Sequence, residues 1–248
     1  MKTLIFLYAL LFGSFFNVVG LRVPLKQSIV KPRSACPHCG HQLTGWELIP
    51  VLSYLIQGGK CRVCRARVSP IYPLTELGTA LLFLYAYQTF GFTFEFVIAI
   101  TFLSMMIIIT VSDLAYMIIP DKVLLFFSLV FIAERLYVPL NPWWDSIVGA
   151  LVGFLLLLAI AIVSRGGMGG GDIKLFAVIG FVMGWKNVLL TFFLACAIGA
   201  VIGLILMAFG IVKKGKPIPF GPFITLAAII VYLYGDPIFS WYFTFFDR

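Results

Sequence analysis

Residues 101–113 read TFLSMMIIITVSD, an apolar run closed by a single carboxylate, Asp113. With the residues before it, the run extends from 94 to 112. At about 1.5 Å of rise per residue, a helix of this length crosses the hydrocarbon core of a bilayer. Comparable runs lie at 4–21, 75–90, 123–138, 145–163, 174–185, 187–211 and 219–246. The chain has 248 residues, 62% of them hydrophobic and 11% charged, against roughly 25% charged in a soluble domain. The reading is therefore an all-α, polytopic membrane helix bundle of about eight spans. The runs at 75–90 and 174–185 are short enough to be re-entrant or to merge with a neighbour. A secretory signal over residues 1–21 is the alternative at the N-terminus, but no small-residue cleavage site follows, and Arg22 and Lys26 stop transfer.

Charge placement predicts orientation. With the N-terminus outside, only Lys2, Arg135, Lys186 and Arg248 of the eighteen Lys and Arg residues face out. The others, including Lys213, Lys214 and Lys216, fall on the cytoplasmic side, as short basic loops do. The net charge of +8 is thus spread over several short loops and does not form the continuous basic stripe of a nucleic-acid binder.

The organisation expected is a first transmembrane helix at 1–21, a cytoplasmic loop at 22–74, and a membrane helix bundle at 75–248. The loop holds CPHC (Cys36, Cys39) and CRVC (Cys61, Cys64). Two C-x2-C pairs can deliver four thiolates to one tetrahedral ion, which predicts a structural zinc ribbon. Gly40 and Ala66, following the second cysteine of each pair, suit the tight turns around the metal. A pair of disulfides is the competing arrangement, disfavoured in a reducing compartment. His38 and His41 are expected to be exposed, since four cysteines close the coordination shell. Cys196 lies in a hydrophobic run and is expected to act as a small packed residue.

Ten acidic residues remain to be sorted, because a carboxylate at membrane depth must be paired, protonated or hydrated. Glu47 falls in the cysteine loop, and Glu95, Glu134, Asp145, Asp236 and Asp247 fall near outer ends, where solvation accounts for each. Asp121, after Pro120, suits a helix cap, and Glu76 suits the positive end of the second span. Asp113 and Asp172 differ. Asp113 ends an apolar run with no nearby cation, and Asp172 follows RGGMGGG (Arg165–Gly171) on the same side of the membrane. Glycines let another chain approach closely, and two carboxylates sharing a proton can hydrolyse a peptide, one as base and one as acid. The helix dipoles make Asp172 the expected base and Asp113 the expected acid.

Taken in order, the motifs resemble the prepilin peptidase family of bacterial type IV leader peptidases, which are membrane aspartic proteases. GSFFNV (Gly13–Val18), the paired CxxC loop, IPVLSYL (Ile49–Leu55) and YPLTE (Tyr72–Glu76) come first. The segment from Asp113 to Ile119-Pro120-Asp121, GGGDIKL (Gly169–Leu175) and PFGPF (Pro219–Phe223) follow. The resemblance puts Asp113 and Asp172 in the catalytic positions. It implies pilin-like precursors as substrates, cut after a short basic leader at the cytoplasmic boundary of the inner membrane, for pili, type II secretion or competence filaments. It further implies N-methylation of the new terminus with S-adenosylmethionine. No Gly-rich nucleotide loop is visible, and the loop around Gly59 and Lys60 is the suggested place for the methyl donor. Presenilin-like proteases share G-x-G-D but not PFGPF or the cysteine loop. A secondary transporter would need an inverted repeat, and none is evident.

Overall fold

The computed structural model describes residues 1–165, 167–210 and 218–246, except the side chains of Asp236, Tyr242, Phe243, Phe245 and Phe246. Gly166, Lys213, Lys214, Lys216, Asp247 and Arg248, which figured in the sequence reading, lie outside the described residues, as does the Asp236 side chain. The regular structure of the described residues is helical, joined by turns and loops that carry two isolated β-bridges. The chain divides into two compact units, Met1–Ala115 and Tyr116–Arg248.

In the first unit, α1 (Lys2–Arg22) and α3 (Ile71–Phe90) pack together, and α4 (Phe94–Tyr116) ends at the unit's border. Phe16 of α1 meets Phe83 of α3 with ring centroids 6.4 Å apart, and Asn17 donates to the carbonyl of Tyr72 at 3.3 Å. Side chains of α4 such as Phe102, Leu103, Met105 and Ile109 are fully buried. The loop between α1 and α3 carries a 3-10 helix, Gly45–Leu48, and a short helix α2, Leu52–Ile56. The expected short span at 75–90 starts earlier, at Ile71, and has 20 residues.

The second unit comprises α5 (Asp121–Tyr137), α6 (Asp145–Val163), α7 (Gly170–Ala208) and α8 (Gly221–Phe246). The 39 residues of α7 are two helices joined at Gly184, whose φ of 83° and ψ of 171° are not helical. Glycine tolerates this conformation without the steric penalty of a Cβ. Phe176 and Phe192 would lie about 24 Å apart along a straight helix, yet their rings are 6.0 Å apart. The two legs therefore fold back on each other as a hairpin. This separates the expected runs 174–185 and 187–211, with the turn at Gly184–Trp185.

A broken helix frees backbone groups from their intrahelical partners, and three side chains take them. Arg135, buried at the end of α5, donates from Nε (3.1 Å) and a terminal guanidinium nitrogen (2.7 Å) to the carbonyl of Val182. Asn187 donates to the carbonyl of Met183 at 3.0 Å, and Asp145 accepts the amide of Trp185 at 3.2 Å. The solvated setting expected for Glu134 is therefore corrected: Glu134 is buried, as is Arg135 beside it, whereas Asp145 is half-buried and holds the α7 turn. Below the turn, α6 crosses the first leg of α7 at Gly149 and Gly180, where a Cβ on either would strike the other's carbonyl.

Four of the described helices, α1, α4, α6 and α7, are long and apolar enough to cross a membrane. Cys196 is exposed on α7, so it faces outward and is not packed as expected.

Candidate functional site

Asp172 is the third residue of α7, whose N-cap is Gly169 in an extended conformation. Its amide donates to the carbonyl of Gly169 at 3.1 Å. A Cβ on Gly169 would lie 3.1 Å from Oδ2 of Asp172, so the carboxylate occupies the space that the glycine leaves. A negative charge at this end of a helix is favoured by the unpaired amides and the macrodipole. Gly171 has a different reason. A Cβ there would meet the Cβ of Ile119 at 2.9 Å, so only glycine lets the IPD segment lie against the start of α7. Lys174 completes the junction by donating to both oxygens of Asp121, at 2.8 and 2.9 Å. Asp121 therefore sits in the first turn of α5 as the partner of Lys174, and it does not make the side-chain cap expected of it. The lysine was present in GGGDIK, but nothing in the sequence paired it with a residue 53 positions away.

Asp113 lies in the last turn of α4 and is buried. It belongs to the first unit and Asp172 to the second.

The four cysteines do come together. Their sulfurs all lie within 4.8 Å of one another, with Cys36–Cys64 at 3.8 Å and Cys39–Cys61 at 3.9 Å. These separations are far beyond the ~2.05 Å of a disulfide, and all four thiols are free. Each knuckle repeats one backbone pattern. The amides of Cys36 and Cys61 donate to the carbonyls of His41 and Ala66, and those of Gly40 and Arg65 donate to the carbonyls of Cys36 and Cys61. The left-handed turn residues are Gly40 (φ 71°) and Arg65 (φ 59°). Arg65, not Ala66, is thus the counterpart of Gly40, a correction to the expected turn position.

The amides of Cys39 and His38 lower the Cys36 thiol to about 7. Those of Cys64 and Val63 lower Cys61. Cys64 receives the Ala66 amide but is pushed up to about 11 by burial and the three neighbouring sulfurs. Four thiolates cannot gather without a cation, and this cluster can hold a metal ion.

His41 and Glu47 also need correction. His38 is exposed, but His41 is partly buried, with Nε2 3.1 Å from Oε2 of Glu47. That oxygen also accepts the Thr44 amide and hydroxyl, each at 2.9 Å. The Thr44 contacts come first among the causes that hold the Glu47 carboxyl down at about 2. The T-x-x-E spacing of Thr44 and Glu47 is a capping-box signature and would have signalled this. Glu76 is likewise not at a helix end. It lies inside α3, is buried, and accepts the amide of Val51 at 2.7 Å. Val51 is itself left-handed (φ 63°). A cleft of about 480 Å³ opens beside the second knuckle, lined by residues including Tyr54, Gly59, Lys60 and Arg67.

Fold and site define an integral membrane protein of the helical class, with a four-thiol centre in one extramembrane loop. Residues 7–90 match the model of the bacterial peptidase A24 N-terminal domain, and residues 100–204 match that of the type IV leader peptidase family. A prepilin leader peptidase/N-methyltransferase of Bacillus subtilis is 47% identical over 242 residues, which cover 98% of each chain. One from Pseudomonas aeruginosa is 36% identical over 96% of this chain and 92% of its own, and one from Aeromonas salmonicida 34% over 97% and 93%. No solved structure matches significantly. The chain belongs to the type IV leader peptidase family.

Proposed function

We propose that this protein cleaves the leader from prepilin-like precursors and methylates the new N-terminus, with Asp113 and Asp172 as the proteolytic pair. The observation that carries the activity is the near end-to-end similarity to relatives bearing both activities in their names. The setting of Asp172 at a glycine-opened helix start, and of Asp113 in a helix's last turn, supports the assignment of the pair. The family matches favour neither the transporter reading nor the presenilin-like one, which shares only G-x-G-D.

In this mechanism the pair shares one proton. Asp172, at a helix N-terminus, holds the charge, and Asp113, at a C-terminus, holds the proton. Asp172 takes a proton from the attacking water while Asp113 gives one to the scissile carbonyl oxygen. The tetrahedral diol then collapses, and the departing amine takes a proton from the pair. The protein lies in the bacterial inner membrane with its N-terminus outside, so that both acids face the cytoplasmic boundary. This follows the distribution of basic residues.

Zinc is the ion we assign to the thiol cluster. Bonds of about 2.3 Å to a tetrahedral ion set sulfurs about 3.8 Å apart, which the 3.8 and 3.9 Å pairs satisfy. It is structural, because four protein ligands leave no open position. The cleft at Gly59 and Lys60 is the place we assign to S-adenosylmethionine, which supplies the methyl group. Gly59 is left-handed, and a Cβ there would stand 2.9 Å from the Tyr54 hydroxyl, narrowing the cleft. Lys60 and Arg67 offer cations to a carboxylate, and Tyr54 offers a ring face.

The test is cleavage of a prepilin by the purified protein in detergent, read by product mass. Asp113→Asn and Asp172→Asn are each expected to lower cleavage at least about 100-fold, the range general acid-base groups contribute, while methylation of an already cleaved pilin continues. Full cleavage by either variant removes that residue from the pair.

A further inference from the structure

The loop between α1 and α3 carries an apolar face that is exposed among the described residues. In α2, Leu52, Leu55 and Ile56 stand at i, i+3 and i+4, which puts them on one side of the helix. All three point outward, Ile56 being 85% and Leu55 66% exposed. The preceding 3-10 helix adds Leu48 and Trp46, the latter 82% exposed. The opposite side of α2 is anchored, with Ser53 and Tyr54 partly buried and the Tyr54 hydroxyl 3.5 Å from the Val68 carbonyl. The face is therefore presented by a folded element.

Its depth is fixed by Glu76. This residue lies five positions beyond Ile71, the first residue of α3, which is about 7.5 Å along the helix axis. Because the Val51 amide bonds its carboxylate, α2 begins level with the first turns of α3, not beyond the helix end. There α3 turns its own apolar residues Leu74 and Leu77 outward. α1, which packs on α3, is long and apolar enough to cross a membrane, and the Arg22 that closes its loop-side end suits the border between headgroups and acyl chains.

Charge identifies the lipid. The loop between α1 and α3, residues 23–70, has seven Lys and Arg residues and a single acid, Glu47, which is buried. Lys60, Arg62, Arg65 and Arg67 are all exposed around the second knuckle. Apolar and aromatic side chains beside cations match the border of an anionic leaflet. A protein partner that comes and goes would leave five large apolar side chains in water between visits, whereas the bilayer is always adjacent.

We infer that α2 and the Gly45–Leu48 turn form an interfacial anchor, seating the thiol-cluster loop in the anionic surface of the membrane that holds α1 and α3. This anchoring does not depend on the peptidase reading. If that reading also holds, the anchor keeps the Gly59 and Lys60 cleft at the boundary where a freshly cut amino terminus emerges.

The test uses the full chain labelled with 5-fluorotryptophan in nanodiscs of phosphatidylglycerol and phosphatidylcholine. The Trp46 fluorine resonance is assigned by Trp46→Phe. A lipid with a nitroxide at acyl carbon 5 is expected to broaden it several-fold more than a soluble gadolinium chelate does. Leu55→Gln with Ile56→Gln should at least halve the nitroxide effect while metal content stays unchanged. Broadening by gadolinium alone would place the face in water and overturn the anchor. Protection from both reagents would mean a protein cover, a second copy or a substrate, and would overturn it equally. Equal nitroxide broadening in pure phosphatidylcholine would overturn the anionic specificity.

Discussion

Glu76 holds Val51 in place from inside the helix bundle: its Oε2 accepts the Val51 amide at 2.7 Å, although Val51 is a β-branched residue in the left-handed region. The bond crosses 25 residues of sequence and joins the cysteine loop to α3. A left-handed β-branched residue costs on the order of 1–3 kcal/mol, so the contact must offset strain as well as fix position. Replacing Glu76 with Leu is expected to destabilise the loop by about 1–3 kcal/mol, the cost of an orphaned buried donor. Amide exchange over residues 51–56 should speed up accordingly. Val51→Gly should slow that exchange by removing the strain, and faster exchange in this variant would show that the valine side chain matters more than its backbone.

At the start of α7, Gly171 admits Ile119 where a Cβ would come within 2.9 Å of its Cβ. Gly171→Ala must push the IPD segment off the helix by a few tenths of an ångström, an overpacking cost of about 1–3 kcal/mol. Prepilin cleavage should fall by about tenfold or more. Adding Ile119→Gly, which removes the clashing atom, should recover most of it. If the double variant is no better than the single one, the close approach is not the reason for the glycine.

The α7 hairpin depends on Arg135, which gives two hydrogen bonds to the Val182 carbonyl that the turn at Gly184 has freed. Bonds to a charged group contribute about 1.5–3 kcal/mol. Arg135→Met is expected to lower the unfolding temperature of the detergent-solubilised protein by several degrees, and Arg135→Lys, which keeps one donor, by less. An unchanged unfolding temperature in Arg135→Met would mean that the turn holds itself.

Metal binding by the cysteine cluster should strengthen as pH rises. The ion needs thiolates, and with Cys36 at about 7 and Cys64 at about 11 some protons remain at neutral pH. Binding must displace those protons, so affinity falls as pH drops through this range. Competition with a zinc chelator at pH 6.5, 7.5 and 8.5 should show the protein winning progressively more zinc after correction for the chelator's own protonation. Cys64→Ser should lose it at each pH. A flat corrected profile would mean that the four thiols are not the ligands.

The sequence alone carried the class of fold, because a stretch such as 146–164, 19 consecutive residues without a charge, is costly anywhere but in a bilayer or a buried core, and that is a one-dimensional property. It also carried the four ligands, since C-x2-C builds each knuckle locally. The glycine-opened start of α7 and the place of Asp113 at a helix end were legible for the same reason. What the chain could not announce were the pairings between distant segments. Asp121 looked like a cap until Lys174 stood beside it, Glu47 looked solvated until Thr44 and His41 surrounded it, and Arg135 looked like an external charge until the Gly184 turn freed a carbonyl for it. A carboxylate or guanidinium finds its partner by distance in space, and only the folded chain decides which groups stand near enough for it to satisfy.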